Sequence, residues 1–290
     1  DNNIKITRVE DGFMRSIGLG SDLTRPYSLA FDDVGIYFDP AQPSRLEEIL
    51  NFTQFDFHII NEATQLIKAI VNSGISKYNN ANDVSINIPS GKKSILVVGQ
   101  VEDDASIKLG ANSMTNLSLL KQVRAENSDA IIVYKPHPDV VSGNRVGEVS
   151  GTDIDLYSDL CLVDVGISEL ISKVDEVHTM TSTVGFEALL HGKAVVTYGM
   201  PFYAGWGLTK DKINCDRRTR KLSLLELVAG ALILYPRYID PNSGHYCAAE
   251  LLISRLKQQR DRMSGSFLYR AQHNLHSFIS RRVQKILSWF

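Results

Sequence analysis

The sequence contains only three cysteines, at positions 161, 215 and 247. Their number is odd, their spacing is wide and no C-x-x-C pair occurs, which disfavours both a disulfide framework and a cysteine-based zinc site. The seven histidines show no H-x-x-x-H or H-E-x-x-H spacing. We therefore predict a reducing compartment and no metal site.

The sequence also lacks long apolar runs and an excess of basic residues. No stretch of about 18 apolar residues occurs, so no bilayer-spanning segment is predicted. The formal net charge is -2, which provides no general attraction to nucleic acid, and we predict no nucleic-acid partner. The chain begins Asp-Asn-Asn-Ile-Lys, without a signal-peptide pattern or an initiator methionine. We expect a cytoplasmic protein, and the chain could be a fragment of a longer one.

A strand-helix alternation dominates the middle of the chain. The stretch "KKSILVVGQ" at 92–100 is continuously apolar at its centre, as in a parallel strand covered on both faces. The alternation predicts a doubly wound α/β fold. The further predicted elements are helix 115–126, strand 130–134, helix 167–173, strand 177–180, helix 184–191, strand 194–198, and helices 222–234 and 245–262.

The N-terminal part predicts a separate unit of short strands and two helices. Strands are expected at 4–9, 27–31 and 34–38, where β-formers alternate with turn residues. Ser44 should cap a first helix, with Glu47 at the capping-box position. The periodicity of 56–73 predicts a second helix, whose expected buried face is Phe57, Ile60, Ala63, Ile67 and Ile70.

The last stretch, 267–290, has the pattern of an amphipathic helix with arginines and a lysine on its polar face. Such a helix either packs on the protein core or lies on an anionic membrane surface. Both alternatives remain open from the sequence.

Ligands in open α/β sheets bind beyond the carboxyl ends of the strands, and two such ends carry charged residues here. In "VVGQVEDDAS", the carboxylates of Glu102, Asp103 and Asp104 follow the buried strand. They either begin a helix or supply a nucleophile or base. In "YKPHP", two prolines should hold Lys135 and His137 in an extended loop, as a clamp for phosphate or carboxylate.

Two later strand ends carry hydroxyl, glycine and aromatic residues. In "MTSTVGFEALL", Ser182 and Thr183 stand at a predicted helix start, where they either cap the helix or bind an anion. Gly185 and Glu187 follow, and Glu187 could reach a ribose. The loop "YGMPFYAGWGLTKD" is rich in glycine and aromatic residues and suits a wall that stacks on a sugar or base. The predicted wall residues are Phe202, Tyr203 and Trp206.

Near the N-terminus, "RVEDGFMRSIGLG" places Glu10, Asp11 and Arg15 after another strand. Its glycines do not have the G-x-G-x-x-G spacing, and the chain has no G-x-x-x-x-G-K-[ST] motif, which disfavours dinucleotide binding and P-loop chemistry. An anion clamp, an acidic centre, an aromatic wall and a carboxylate near a ribose together favour a nucleotide-sugar site.

Several long motifs resemble the capsule polysaccharide biosynthesis/export family, which includes retaining β-Kdo transferases. They are "EDGFMRSIGLG", "PYSLAFDDVGIYFDPAQPSRLEEIL", "GISKYN", "GQVEDDASI", "YKPHPDV", "VDEVHTMTSTVGFEALLHGKAVVTYGMPFYAGWGLT" and "YPRYIDP". The resemblance implies a GT-B fold, with two Rossmann-like lobes and the active site in the cleft between them. It implies a partial N-terminal lobe at 1–90, a CMP-sugar-binding lobe at 91–262 and the amphipathic helix at 263–290.

The resemblance also implies a role for individual residues. Asp104, in a Q-x-x-x-D pattern with Gln100, would be the nucleophile, and Glu10 or Asp11 the acid/base. The implied donor-binding set is Gln100, Lys135, His137, Pro138, Ser182, Thr183, Gly185 and Glu187, and the acceptor or sugar wall is Arg15, Phe202, Tyr203 and Trp206.

The implied donor is CMP-Kdo, with no cofactor, and the implied acceptor is a Kdo-bearing phosphatidylglycerol lipid. The chain is expected at the inner membrane as a peripheral protein, in contact with its anionic surface through 267–290 and with capsule assembly or export proteins. Two alternatives remain open: a non-catalytic module for capsule assembly or export, and a transferase that uses another CMP-sugar.

Overall fold

The computed structural model describes residues 5–17, 24–74, 86–143 and 145–265, with the backbone alone for 263–265. The predicted amphipathic segment 267–290 lies outside these residues. The strands are β1 (Arg8–Asp11), β2 (Ser28–Asp32), β3 (Ser94–Val98), β4 (Ile131–Lys135), β5 (Leu160–Cys161), β6 (Glu176–Thr179), β7 (Ala194–Thr197), β8 (Lys210–Asp211), β9 (Pro236–Ile239) and β10 (Tyr246–Cys247). The α-helices are α1 (Arg45–Phe52), α2 (Phe57–Ser73), α3 (Ala105–Gly110), α4 (Asn116–Glu126), α5 (Pro138–Val141), α6 (Gly151–Tyr157), α7 (Ile167–Lys173), α8 (Thr183–Leu190), α9 (Leu224–Val228) and α10 (Ala249–Gly265).

The centre of the molecule is a six-stranded sheet in the order β5-β4-β3-β6-β7-β8, in which all pairs are parallel. Every residue of β3 is buried, because helices cover both faces of the sheet and its apolar run has no polar side to present. The sequence prediction of an α/β fold with a parallel sheet is confirmed.

Helices α1, α4 and α8 begin at side-chain caps. Thr115 accepts a hydrogen bond from the Ser118 backbone and closes a capping box at α4. Ser182 caps α8 by accepting from Val184 N, and Ser44 caps α1 by accepting from Glu47 N. Each cap satisfies a backbone N–H that has no partner within the helix. The predicted positions of these helices are confirmed to within a residue or two.

A second sheet joins the two ends of the described chain. It is antiparallel, in the order β1-β2-β9-β10, so strands that follow the parallel sheet pair with strands that precede it. Helices α9 and α10 pack against α2 on the same side of the molecule. The segment 224–265 therefore packs with the N-terminal elements, although it lies in the predicted 91–262 domain. The division into 1–90 and 91–262 itself stays a prediction.

The strand predicted at 34–38 is wrong. The buried carboxylate of Asp32 accepts hydrogen bonds from the backbone N–H groups of Val34 and Gly35, at 3.0 and 2.8 Å, and of Arg45. This turn uses the backbone donors that a strand would need and folds the segment back toward α1. The first strand also begins later than predicted, at Arg8, and neither β9 nor β10 was predicted.

The predicted buried face of α2 is partly wrong. Phe57 is 88% exposed, whereas Ala63, Leu66 and Ile70 are buried. At about 100° per residue, Leu66 lies on the opposite side of the helix from Phe57. The buried stripe is therefore centred on Leu66.

The helix predicted at 222–234 is present but irregular. It is α-helical up to Val228 and continues as a π-helix over Ala229–Leu234, after which Tyr235 N donates to Gly230 O. The wider turn carries Tyr235 to Asp32, whose Oδ2 accepts from the Tyr235 hydroxyl at 2.8 Å. The helix predicted at 245–262 begins only at Ala249, because β10 occupies the residues before it.

A buried histidine on β6 makes the stability of the fold depend on pH. His178 Nδ1 lies 3.1 Å from the Tyr198 hydroxyl, and Nε2 lies 3.5 Å from Glu176 Oε2. Burial lowers the pKa of His178 from 6.5 to about 4, although Glu176 favours the charged ring. The folded protein therefore excludes a proton that the unfolded chain binds below pH 6.5.

We expect the free energy of unfolding to fall by roughly 1.5 kcal/mol between pH 6.5 and 5 through this residue. Urea unfolding of the chain and of His178→Gln at both pH values measures the difference, which should largely vanish in the variant. Replacing the exposed His58 by glutamine should leave the pH slope in place. An unchanged slope in His178→Gln would show that the buried ring is not its source.

Candidate functional site

The candidate site lies at the carboxyl edge of the parallel sheet, where three neighbouring strands end and the loops that follow them lie side by side. Strand β3 lies between β4 and β6, so the loops that follow these three strands are neighbours. They carry, in that order, Asp104, His137 and Ser182. The predicted convergence of these strand ends is therefore present in the fold.

Asp104 differs from the two carboxylates before it. Glu102 accepts from Asn116 N at 2.7 Å, and Asp103 pairs with Arg145 at 3.0 Å. The Arg145 hydrogen bond holds the pKa of Asp103 below its usual value. Asp104 caps α3 and accepts from the backbone and hydroxyl of Ser106, at 2.9 and 2.7 Å. The helix-start alternative is confirmed for Asp104, and its role as a nucleophile or base stays a prediction.

Gln100 is buried and ties β3 to β6. Its Oε1 accepts from Thr181 N at 2.9 Å and from the Thr179 hydroxyl at 3.2 Å, while Nε2 donates to Thr181 Oγ1 at 3.0 Å. Its backbone N–H donates to Asn116 Oδ1. The amide group is thus occupied within the protein and fixes the two loops that flank the site.

His137 lies at the end of the β4 loop, half-buried, directly before Pro138 at the first position of α5. Its Nδ1 accepts from Asp139 N at 3.2 Å. A neutral imidazole whose Nδ1 accepts carries its hydrogen on Nε2. In that tautomer Nε2 is the ring's N–H donor, a group whose chemistry suits an anionic ligand.

The prediction that Lys135 projects beside His137 is wrong. Lys135 is the last residue of β4, is only 8% exposed and donates through Nζ to the carbonyl of Val163 in the next loop. Burial lowers the pKa of its ammonium. The strand continues one residue further than the sequence suggested, so the side chain is directed into the protein rather than toward a ligand.

Ser182 and Thr183 stand at the amino end of α8, as predicted. The Tyr203 hydroxyl donates to Ser182 O at 2.6 Å and holds the turn that leads into α8. The backbone N–H groups and the partial positive charge of this helix end make it suitable for an anion. Glu187 lies one turn further along α8 and is half-buried.

Gly185 has a packing role in the free protein. It is buried in the first turn of α8, and a Cβ at this position would overlap the hydroxyl of Tyr203. The ring of Tyr203 is itself fully buried and cannot easily move aside. A side chain at 185 would therefore disturb the Tyr203–Ser182 hydrogen bond and, with it, the helix start.

We expect Gly185→Ala to lower the free energy of unfolding by about 1–3 kcal/mol through overpacking. Gly151→Ala is the matched control, because that glycine is helical with ordinary φ and no atom lies within 4 Å of its Cβ position. The control should be neutral or slightly stabilising. Equal stability of the two variants in urea unfolding would contradict this packing role.

The predicted aromatic wall is wrong, because its residues belong to the core. Phe202, Tyr203 and Trp206 are 4%, 0% and 0% exposed. Phe202 stacks on Phe13 with 4.1 Å between ring centroids, and Trp206 Nε1 donates to Phe202 O. These aromatic contacts join the N-terminal elements to the parallel sheet. The glycine-rich loop thus folds inward instead of facing a ligand.

The three N-terminal candidates form a group of their own. Asp11 pairs with Arg15, Glu10 Oε1 accepts from Asp11 N, and the Tyr37 hydroxyl donates to Asp11 O at 3.2 Å. Arg15 is only 6% exposed, so its predicted place in an acceptor wall is wrong. Within the described residues, no hydrogen bond or ion pair joins this group to Asp104.

The structure also contains site neighbours that the sequence analysis missed. Ser106 and Thr181 connect Asp104 to the β6 loop, since Thr181 Oγ1 lies 3.4 Å from Ser106 Oγ. Ser106 follows Asp104 by two residues and Thr181 precedes Ser182, so their places beside strand-end motifs were the available signal. The contact between them joins distant parts of the chain and has no local signature.

Two further features concern the described residues alone. They contain no group of three or more His, Cys, Asp or Glu side chains arranged to hold a metal ion. Among their helices, none has the length and apolar character that crossing a bilayer requires.

Comparisons with known proteins give a consistent family. A model described as capsule polysaccharide biosynthesis protein matches residues 1–238. Capsule polysaccharide modification protein LipA of Neisseria meningitidis serogroup A is 49% identical over 262 residues, which are 90% of this chain and 37% of LipA. Lipopolysaccharide-processing protein LpsZ of Rhizobium meliloti is 43% identical over 90% of this chain and 60% of LpsZ. The chain thus spans less than two thirds of these relatives.

Two solved structures of Thermosulfurimonas dismutans KpsC resemble the chain. The β-Kdo 2,7 transferase has a TM-score of 0.76 at 42% identity, over 89% of this chain and 79% of that one. The β-Kdo 2,4 transferase has a TM-score of 0.78 at 36% identity, over 87% and 79%. These likenesses support the GT-B-like α/β fold expected from the sequence. From its match to the family model over most of its length, and from these relatives, we conclude that the chain belongs to the capsule polysaccharide biosynthesis protein family.

Proposed function

We propose that this chain is a glycosyltransferase that moves Kdo from CMP-Kdo, with retention of configuration, onto a Kdo-bearing lipid acceptor in capsule synthesis. The observation that carries the proposal is the likeness to two β-Kdo transferase structures, at 42% and 36% identity over most of the chain. A carboxylate, a histidine and a helix amino end on adjacent strand ends provide the chemistry that such a donor needs.

The donor phosphate would lie between His137 and the start of α8. Nε2 of His137 would donate to it from one side, and the Thr183 N–H with the hydroxyls of Ser182 and Thr183 would do so from the other. These donors stabilise the negative charge that develops on CMP as its bond to the sugar breaks. Glu187 would lie toward the ribose.

The first chemical step would be attack by Asp104 on the anomeric carbon of Kdo. One carboxylate oxygen forms a bond to that carbon, and the bond from the carbon to the phosphate oxygen breaks. Its electron pair leaves with CMP, which departs as the anion, and Kdo is left as an ester of Asp104. A carboxylate suits this reaction because it also stabilises the oxocarbenium character of the crowded anomeric centre.

The second step would transfer the sugar to the acceptor. An acceptor hydroxyl attacks the same carbon, its proton passes to Glu10 or Asp11, and the Asp104 carboxylate is released with its bonding electrons. Two inversions restore the starting configuration. In this proposal the antiparallel sheet supplies the acid/base from across the cleft.

The location at the membrane and the partners remain part of the proposal. A lipid-linked acceptor would place the protein at the cytoplasmic face of the inner membrane, among capsule assembly and export proteins. The segment 267–290, proposed to contact anionic lipid, lies outside the described residues.

The direct test supplies the chain with freshly made CMP-Kdo and a soluble Kdo-bearing glycolipid and follows CMP release and product. The proposal expects a β-linked Kdo product by NMR, with CMP-sialic acid a poor substitute. Preferential transfer from CMP-sialic acid would favour the alternative of another CMP-sugar. CMP binding without transfer from either donor would favour a non-catalytic assembly module.

A further inference from the structure

The side chains of Gln100, Thr181, Ser106 and Asp104 form a continuous chain of hydrogen bonds across the site. Both ends of the Gln100 amide are engaged: Oε1 accepts from two donors, and Nε2 donates one hydrogen to Thr181 Oγ1 at 3.0 Å. An amide N–H can only donate, so the direction of the first bond is fixed. Thr181 Oγ1 is the acceptor and keeps its own hydrogen for another partner.

The hydrogen bonds from Thr181 to Ser106 and from Ser106 to Asp104 run in the same donor-to-acceptor direction. Thr181 Oγ1 lies 3.4 Å from Ser106 Oγ, and Ser106 Oγ lies 2.7 Å from Asp104 Oδ1. An ionised carboxylate only accepts, so the Ser106 hydroxyl must donate to it. Ser106 can then accept from Thr181, and every hydrogen in the chain points toward Asp104. Such aligned bonds polarise one another and strengthen the last of them.

The two oxygens of Asp104 are held differently as a result. Oδ1 accepts both the backbone N–H and the hydroxyl of Ser106, at 2.9 and 2.7 Å. In the described part of the chain, no hydrogen bond reaches Oδ2. Two hydrogen bonds to the same oxygen restrict rotation of the carboxylate group, and this restriction holds Oδ2 in one orientation.

We propose that Ser106 and Thr181 are positioning residues that fix Asp104 through Oδ1 and leave Oδ2 as the oxygen that attacks the donor. The proposal rests on the proposed function, in which Asp104 is the nucleophile. Oδ2 forms the bond to the anomeric carbon while the bond from that carbon to the phosphate oxygen breaks and its electron pair leaves with CMP. Because Thr181 directly precedes Ser182, the same chain couples the orientation of Asp104 to the loop proposed to hold the phosphate.

The kinetic test compares the chain with Ser106→Ala and Thr181→Val. Ser106→Ala removes the hydroxyl that donates to the Asp104 carboxylate, and Thr181→Val removes the hydroxyl that donates to Ser106. We therefore expect kcat to fall about 10-fold or more in Ser106→Ala and less in Thr181→Val. KM for CMP-Kdo should stay within about twofold, since neither hydroxyl is assigned to the donor. Ser106→Thr keeps the hydroxyl and should restore most of kcat.

Ser118→Ala is the matched control, because Ser118 is also a first-turn serine whose hydroxyl bonds to the helix-capping residue, here Thr115 at α4, and no described hydrogen bond joins it to Asp104. It should leave kcat and KM unchanged. An unchanged kcat in Ser106→Ala would overturn the proposal. So would a rise in KM at constant kcat, which would place Ser106 against the donor, or a failure of threonine to restore the rate.

Crystal structures of the chain and of Ser106→Ala test the positioning without relying on turnover. We expect one orientation of the Asp104 carboxylate in the first and more than one in the second. A single unchanged orientation in both would overturn the positioning role even if the chain proved inactive. An unaltered chain that orders Asp104 as described but transfers no sugar would instead refute the proposed function and leave the positioning role standing.

Discussion

Replacement of Asp104 by asparagine is expected to reduce Kdo transfer by about 10⁴-fold or more, while CMP still binds. An amide cannot form the ester with the sugar, and loss of a covalent nucleophile commonly costs this much. Asparagine caps helices as well as aspartate does, so α3 should form as before. Initial rates of CMP release with saturating acceptor measure the loss, and calorimetry with CMP measures the remaining binding.

Asp103→Asn is the matched control for this experiment. Asp103 is the adjacent carboxylate, and its partner is Arg145 on the neighbouring loop. Its loss should change the rate by no more than a few-fold, because an exposed ion pair contributes little. A large loss in Asp103→Asn together with an active Asp104→Asn would show that Asp103, and not Asp104, is the nucleophile.

Replacement of Glu47 by alanine is expected to destabilise the fold by about 3–5 kcal/mol. Glu47 is buried in α1 and pairs through Oε1 with Arg217 at 2.7 Å and through Oε2 with Arg218 at 3.3 Å. The side chain of Arg218 is only 4% exposed and also donates to the carbonyls of Pro201 and Ala204, each at 2.6 Å. Removing the carboxylate leaves a buried guanidinium without its counter-charge.

Glu48→Ala provides the comparison within the same helix. Glu48 pairs with Arg45, and both side chains are about 40% exposed, so its loss should cost less than about 1 kcal/mol. Urea unfolding of both variants gives the two free energies. A cost for Glu47→Ala as small as that for Glu48→Ala would show that the buried cluster does not hold α1 to the loop after β8.

The elements predicted correctly are those whose signal is local. The apolar run of β3 and the cap at Ser182 identify a strand and a helix start without knowledge of the rest of the chain. The strand-helix alternation then fixes a parallel sheet, and a parallel sheet places the polar strand ends at one edge. This is why Asp104, His137 and Ser182 could be assigned to one site before the fold was known.

The wrong predictions depended on partners far away in the sequence. The wall residue Phe202 is buried because Phe13 stacks on it, and nothing in the glycine-rich loop indicates that contact. Lys135 faces inward because β4 includes it and Val163 O accepts a hydrogen bond from its ammonium group. The pairing of β9 with β2 likewise joins a segment that precedes the strands of the parallel sheet in the sequence to one that follows them. Such long-range packing decides whether a side chain faces ligand or core, and sequence pattern alone does not contain it.

The most direct test of the central claim is intact-protein mass spectrometry after incubation with freshly generated CMP-Kdo in the absence of acceptor. The chain should gain the mass of one Kdo residue, and the Asp104→Asn protein should not. That result would establish the donor, the covalent step and the nucleophile together. The same mass increase in both proteins would contradict the role of Asp104, and a chain that neither binds CMP nor gains mass would contradict the transferase assignment itself.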